Sequence, residues 1–254
     1  MRWISILAMS VIFMVASNTM AAELTVLSAG AVEPGLIKVI DAFRRDTAHA
    51  VKITFATAPA IRKRLSGGET VDVAIVPADV IDDLVKAGKV SSADRVTVGK
   101  IGVGIMVRNG APIPKVATVD EFKQSLLSAD ELVYNQASTG IYLESLFDRH
   151  GISEPLKAKT TRYPDAAGVL DHVSKGKGNV IGFGATTVII EGAGKGLQLV
   201  GPLPAEIQNY TTYAAAVVTA SAAARALVRY LASPAAKALF TAAGIEHEIP
   251  PTTK

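Results

Sequence analysis

Short apolar runs alternate with segments of helical periodicity along most of this chain, and only a few residues connect each one to the next. The pattern begins with an apolar run at 24–27 and continues into 35–45, where Leu36, Ile40 and Phe43 recur at helical spacing. Repeated strand–helix units of this kind form sheets of mostly parallel strands, with helices packed on both faces. The sequence therefore predicts an α/β fold.

The alternation continues to the end of the chain and indicates two modules. Glycine-rich segments near 100–109 and 202–213 are candidates for the places where the chain crosses between them. We predict two lobes joined by two strands, with 23–105 in the first lobe, 106–207 in the second, and 208–254 returning to the first. The predicted strands are 24–27, 51–56, 71–76, 96–107, 131–135, 159–163, 180–183, 197–200 and 211–218, and the predicted helices are 35–45, 60–65, 80–87, 119–128, 141–150, 165–174, 221–231 and 234–243.

The N-terminus has the pattern of a secretory signal peptide. Arg2 supplies a positive charge, 4–16 is an apolar run too short to span a bilayer comfortably, and 17–22 ends in small residues. We predict cleavage near Ala21 or Ala22, export to a bacterial periplasm and no stable membrane insertion. An uncleaved anchor is the alternative.

Composition excludes several classes of protein. The chain has no cysteine, which rules out disulfides, thiolate catalysis, cysteine-ligated metal centres and lipid attachment to cysteine. It has 26 Lys and Arg against 23 Asp and Glu, and the densest basic cluster is Arg62-Lys63-Arg64. Because this charge is small and scattered, nucleic acid is not expected as a partner.

The sequence offers no recognisable catalytic or metal-binding motif. The four histidines are far apart and none has a metal-binding spacing; we interpret His150 and His172 as structural. Asp82 and Asp83 are adjacent carboxylates, but neighbours diverge on a helix, which favours a solvated face. An exported enzyme stays open as an alternative, although it would need a nucleophile and a base that the sequence does not reveal.

Three turns between a strand and the next helix are built from small or hydroxylated residues. Helix N-termini expose unpaired N–H groups that attract anions, and small residues let a ligand approach them closely. One such turn alone would indicate an ordinary N-cap, but three that face one crevice favour an anion site. The residues are Ser28, Ala29, Gly30 and Ala31 in the first turn, Thr57 and Ala58 in the second, and Ser138, Thr139 and Gly140 in the third.

Several blocks of this sequence resemble, in order and spacing, the extracellular solute-binding proteins of ABC importers, and within them the molybdate- and tungstate-binding group. The resemblance covers the chain from Glu23 to about Ile249. The blocks that carry it are ELTVLSAGAVEPGLIKVIDAFRRDT, VKITFATAPAIRKRL, VDVAIVPADVIDDLVKAGKV, ASTGIYLESLF and LASPAAKALFTAAGI.

The resemblance implies a two-lobed, type II periplasmic binding fold that closes about a hinge on one small anion. The partner would be the membrane permease of an ABC importer, to which the protein delivers its ligand as a monomer. No cofactor and no protein-ligated metal ion are implied, although molybdate or tungstate could be bound as an oxyanion.

The sequence departs from the group where the oxyanion is held. Serine hydroxyls of the group's first two turns fall on Ala31 and Ala58, and a tyrosine of its second lobe falls on Gly184. A dehydrated dianion would lose three hydrogen-bond donors. Each hydrogen bond to a charged group stabilises the complex by about 1.5 to 3 kcal/mol. Neighbouring hydroxyls could compensate, or a wider pocket could take a small carboxylate or a phosphate ester.

Other polar residues are candidates for the ligand site. Arg62 follows the second turn by one helical step and could pair with a carboxylate or phosphate, or it could be a solvated arginine. Tyr210 and Gln208 lie in the second crossing, where they could line the cleft or pack the hinge. Tyr163, after Arg162 at a predicted strand end, is a further ligand-binding candidate.

We predict that the unaltered chain binds molybdate weakly and that the double substitution Ala31→Ser, Ala58→Ser strengthens binding, because two hydroxyl donors return to the turns. Titration calorimetry of molybdate into both proteins measures the difference. Tight molybdate binding by the unaltered chain would contradict the prediction.

Overall fold

The structure is a computed structural model that describes residues 22–247. The predicted signal peptide, residues 1–22, lies outside these residues except for Ala22, and the tail after 247 also lies outside them. Across 22–247, no helix combines the length and the apolar character that crossing a membrane requires.

The predicted α/β fold class is confirmed, and most elements lie within a few residues of their predicted positions. The strands are β1 Glu23–Ala29, β2 Ala50–Ala56, β3 Val73–Pro77, β4 Arg95–Arg108, β5 Glu131–Asn135, β6 Thr160–Tyr163, β7 Val180–Ala185, β8 Leu197–Pro202 and β9 Tyr210–Val217. The helices are α1 Glu33–Thr47, α2 Ala58–Ser66, α3 Ala78–Lys86, α4 Val119–Ser128, α5 Ser138–Arg149, α6 Ser153–Lys157, α7 Ala166–Lys175, α8 Thr186–Gly192, α9 Ala222–Leu231 and α10 Pro234–Ala242.

The strands form one path in the order β2-β1-β3-β9-β4-β7-β5-β6, with β8 added on β4. Strand β1 pairs in parallel with β2 and β3, and β5 pairs in parallel with β6 and β7. Strands β4 and β9 run antiparallel to their neighbours. We call the β2-β1-β3-β9 side the first lobe and the β7-β5-β6 side the second lobe.

Strand β4 belongs to both lobes. Its first half pairs with β9 as far as Gly102↔Tyr210, and its second half pairs with β7 from Val103↔Ala185 and with β8 from Gly104↔Pro202. The chain therefore crosses between the lobes at Gly102–Val103. The predicted lobe boundary at 105–106 lies close to this switch, and the division into lobes stays a prediction.

Each lobe has its own core. In the first lobe β3 is buried on both faces, as expected for a central strand covered by helices, and its five residues are all apolar. In the second lobe, successive residues of β4 point to opposite faces of the sheet: Ile105 packs with Phe122 and Phe183, whereas Met106 packs with Val133. The space between the lobes is therefore bordered by two separately packed cores.

The sequence predicts no element at 184–196, yet helix α8 forms there. Its run Thr-Thr-Val-Ile-Ile is β-branched and has poor helix propensity, so tertiary packing decides its structure. Ile189 is fully buried in the second lobe. Thr187 is also fully buried, and its hydroxyl donates to the Ala31 carbonyl of the first lobe at 2.6 Å. Helix α8 therefore links the lobes beside the crossing strands.

The side chain of Gln208 holds the crossing together. Its amide nitrogen donates to the Val103 carbonyl at 3.0 Å, and its amide oxygen accepts from the Val103 N–H at 3.1 Å. A Cβ on Gly102 would lie 3.2 Å from the Tyr210 ring and 3.3 Å from the Gln208 amide, so glycine permits this close approach. Gln208 thus acts as a hydrogen-bonding partner for the strand where it passes between lobes.

We predict that Gln208→Ala lowers the free energy of unfolding by about 0.5–1.5 kcal/mol for each hydrogen bond lost to Val103, because Val103 keeps only its weaker backbone partners, the Asn209 carbonyl at 3.2 Å and the Leu203 N–H at 3.4 Å. Urea unfolding measures the change. Gln124→Ala, on the exposed face of α4, is the control and should change stability by no more than about 0.5 kcal/mol. Equal stabilities for the two variants would contradict this role of Gln208.

Candidate functional site

A cleft of about 790 Å³ lies between the lobes. It is larger than the cavities of about 190 and 460 Å³ that are each confined to one lobe, and its size is typical of a site for a small organic molecule. Both lobes and the second crossing contribute to its walls. The lining residues are Ala58, Pro59, Arg62, Pro77, Ala78, Asp79, Val80, Ser138, Ile141, Tyr142, Ser145, Tyr210, Thr211 and Thr212.

Three helices begin at this cleft. Helices α2 and α3 follow parallel strands of the first lobe, and α5 follows β5 of the second lobe. The residues before them, Thr57, Pro77 and Ala137, provide no side-chain cap, so these N-termini are open to an anion. The sequence analysis missed the α3 turn because Pro77 and Ala78 carry no hydroxyl; their place after the buried run 71–76 was the available signal.

The first predicted turn lies beside the cleft rather than in its lining. Strand β1 is flanked by β2 and β3, so its carboxyl end is at the same edge of the sheet. Ser28 is fully buried, however, and its hydroxyl donates to the Ala29 carbonyl at 3.3 Å. Gly30 and Ala31 are partly exposed. In this arrangement the Ser28 hydroxyl is directed into the protein.

The third predicted turn borders the cleft through Ser138. Thr139 is half-buried and Gly140 is buried. A Cβ on Gly140 would lie 1.7 Å from the Asn135 carbonyl oxygen, so no larger residue fits without moving the end of β5. Gly140 therefore fixes the geometry of the turn, while Ser138 is placed at the cleft.

Arg62 lines the cleft and is held by two carboxylates. One terminal nitrogen lies 2.9 Å from Asp79 Oδ2, and the other bonds to Asp83. The Arg62 side chain is 43% exposed and that of Asp79 is 73% exposed, so both are in contact with solvent in the cleft. Asp82 and Asp83 lie on a solvated face, as expected, since their side chains are 50% and 48% exposed; Asp83 pairs with Arg62 and Asp82 with Arg95.

Two predicted site residues lie away from the cleft. The Tyr163 hydroxyl is 2.8 Å from His172 Nδ1, and His172 Nε2 is 2.9 Å from Glu131 Oε2. This side chain therefore lies against helix α7 rather than in the cleft lining. Gly184 is buried in the second lobe beside Ile189 and Met106.

Part of the cleft wall is apolar and exposed. Ile141 on α5 is 54% exposed, and Tyr210 at the second crossing is 43% exposed. The Tyr142 hydroxyl donates to the Ile207 carbonyl at 2.6 Å, so this tyrosine presents its ring more than its hydroxyl. Hydrocarbon surface beside a guanidinium fits an organic anion better than a bare inorganic one.

Behind the cleft wall, Tyr213 is almost fully buried. Burial raises the pKa of its phenol well above the ordinary value, and the negative charge of Asp79 adds to the effect. The negative charge of Asp79 therefore affects the buried Tyr213 phenol, and the same carboxylate also lines the cleft. Within 22–247, no group of three or more His, Asp or Glu side chains is arranged to hold a metal ion.

A family model described as "Bacterial extracellular solute-binding protein" matches residues 24–246. A protein named aconitate isomerase, from a Pseudomonas species, is 34% identical over 249 residues, which cover 92% of this chain and 93% of that protein.

Solved structures share the fold. The periplasmic molybdate-binding protein of Azotobacter vinelandii has a TM-score of 0.72 at 19% identity, over 89% of this chain and 99% of that one. The sulfate-binding protein SubI of Mycobacterium tuberculosis H37Rv has a TM-score of 0.72 at 21% identity, over 90% of this chain and 88% of that one. These likenesses confirm the predicted type II periplasmic binding fold.

We predict that Gly140→Ala lowers the free energy of unfolding by about 3 kcal/mol, the upper end for an overpacked site. For a chain of this size, that loss corresponds to a fall in Tm of roughly 6–12 °C. Calorimetric melting tests it. Gly194→Ala, where an added Cβ would meet nothing within 4 Å, is the control. A Tm for Gly140→Ala equal to that of the control would contradict the tight contact with Asn135.

Proposed function

The chain belongs to the bacterial extracellular solute-binding protein family of ABC importers, and on that premise we propose that it captures a small polycarboxylate in the cleft between its lobes. The observation that carries the proposal is the composition of the cleft. Arg62, the single guanidinium among the described lining residues, shares the cleft wall with the exposed hydrocarbon of Ile141 and the ring of Tyr210. A carbon skeleton with several carboxylates matches that combination.

Three helix N-termini complement the guanidinium. Those of α2 and α3 are on the same lobe as Arg62, and that of α5 is on the other lobe. Each favours negative charge through its unpaired N–H groups. A ligand with a carboxylate at each end can therefore contact both lobes at once, which favours the closed arrangement of the hinge.

An inorganic oxyanion fits the cleft less well. Ala58 in the cleft lining, and Ala31 in the turn beside it, carry methyl groups where the resemblance places serine hydroxyls, and the Ser28 hydroxyl is bonded within the protein. The molybdate- and sulfate-binding structures are only 19% and 21% identical to this chain. The relative at 34% identity is named for aconitate, a tricarboxylate. A ligand of the aconitate class is accordingly our proposal.

We further propose that the protein works in the periplasm after its signal peptide is removed, and that it passes the ligand to a membrane permease as a monomer. The family description as extracellular supports the location. No cofactor is required for this role.

A second candidate function is conversion of the bound ligand. The relative named aconitate isomerase favours it, because that match covers nearly the whole of both chains. The cleft also contains an exposed carboxylate, Asp79, which binding alone does not require. Turnover of a bound tricarboxylate distinguishes this function from the expected non-enzymatic one.

Calorimetric titration tests the ligand class. We expect trans-aconitate, cis-aconitate or citrate to bind, and molybdate and sulfate to bind far more weakly. Arg62→Ala should weaken tricarboxylate binding by about 1.5–3 kcal/mol, because the charge-assisted hydrogen bond between the guanidinium and one ligand carboxylate is lost. Arg64→Ala, on the same helix but paired with Glu69 outside the cleft lining, is the control.

Binding of molybdate but of no carboxylate would contradict the proposed ligand class. Equal tricarboxylate affinities for Arg62→Ala and Arg64→Ala would contradict the proposal that the Arg62 guanidinium binds the ligand. Circular dichroism of both variants establishes that each retains the fold.

A further inference from the structure

Asp79 is the one carboxylate among the described residues that line the cleft. Like charges repel, so a carboxylate at this place weakens the binding of an anion. Its side chain is 73% exposed and accepts a hydrogen bond from Arg62 at 2.9 Å. Because Asp79 opposes anion binding from the cleft lining, a different role for it must be considered.

The ion pair at Arg62 shows how Asp79 is held before a ligand arrives. One terminal nitrogen of the guanidinium bonds to Asp79 and the other to Asp83, and these two residues lie on the first and second turns of α3. Asp83 is not in the cleft lining, whereas Asp79 is. A carboxylate that enters the cleft can therefore replace Asp79 on Arg62 and leave the Asp83 pair in place.

We infer that Asp79, once displaced from Arg62 by a ligand carboxylate, transfers a proton between two carbon atoms of an unsaturated polycarboxylate bound in the cleft. This inference rests on the proposed function, since it needs the polycarboxylate to bind. It assigns a catalytic residue to the cleft and a reaction class, the 1,3-shift of a proton along an allylic system.

The step balances without a further reactant. An Asp79 oxygen accepts the proton from the methylene carbon next to the double bond, and the electron pair of that C–H bond forms a new double bond to the central carbon. The electron pair of the old double bond takes the proton back from Asp79 at its far carbon. One C–H bond breaks and one forms, so the product is an isomer and no oxidant or reductant is consumed.

The surroundings of Asp79 suit this role. Displacement from Arg62 leaves the Asp79 carboxylate without its ion-pair partner, so its oxygens are available to accept a proton from the bound ligand. Charge that develops on the ligand carboxylates faces Arg62 and the open N-termini of α2 and α5. The other polar side chains of the lining are hydroxyls or Arg62 itself, and these groups are weaker bases than a carboxylate.

The test is to incubate the protein with trans-aconitate and to follow formation of the cis isomer by proton NMR, with calorimetric titration of the same samples. We expect the unaltered protein to accelerate the conversion and Asp79→Asn to lower that rate by about 100-fold or more, with affinity unchanged or tighter because the competing charge is gone. Asp82→Asn, on the same helix but paired with Arg95, is the matched control and should keep the original rate. Asp79→Glu should recover part of the lost rate.

Binding without conversion by the unaltered protein would overturn the inference and leave the proposed binding function standing. A full rate in Asp79→Asn would also overturn it. Absence of tricarboxylate binding by the unaltered protein would overturn the proposed ligand class and this inference with it.

Discussion

The pairing of one long strand with both sheets is the constraint on which the rest of the structure depends. β4 is bonded to β9 up to Gly102 and to β7 and β8 from Val103 onward. The two lobes are thereby held edge to edge, with the carboxyl ends of their parallel strands facing the cleft between them. Because helices α2, α3 and α5 begin at those ends, their N-termini converge on one space. Gln208 bonds to both polar groups of Val103 and so supports the strand where it changes partners.

The cleft contains a carboxylate as well as the positive groups that an anion-binding site needs. Backbone N–H groups at three helix N-termini attract negative charge, and Arg62 adds one positive charge that is paired with two carboxylates, Asp79 and Asp83. A ligand must therefore compete with an internal carboxylate for the guanidinium. Such competition favours ligands with several negative charges. It also leaves Asp79 without its partner whenever a ligand takes its place, which is the basis of the inferred proton transfer.

Much of the fold could be predicted from the sequence, because hydrophobic periodicity reports which face of each element is buried. The strand at 131–135 and the helix at 119–128 coincide with β5 and α4. Helix α8 could not be predicted, since its β-branched residues are held helical by tertiary contacts of Thr187 and Ile189. In the site, small residues after strands indicated the turns at Thr57 and Ser138. The pairing of Arg62 with Asp79 joins two separate helices, and no local pattern reports such a contact.

A crystal structure of the protein grown with trans-aconitate is the most direct test of the account. We predict that the ligand lies between the lobes with one carboxylate on Arg62, another near the N-terminus of α5, and the Asp79 side chain turned away from the guanidinium toward the ligand carbons. Arg62 would still be bonded to Asp83. A ligand bound elsewhere, or bound in the cleft while Asp79 remains on Arg62, would contradict the account.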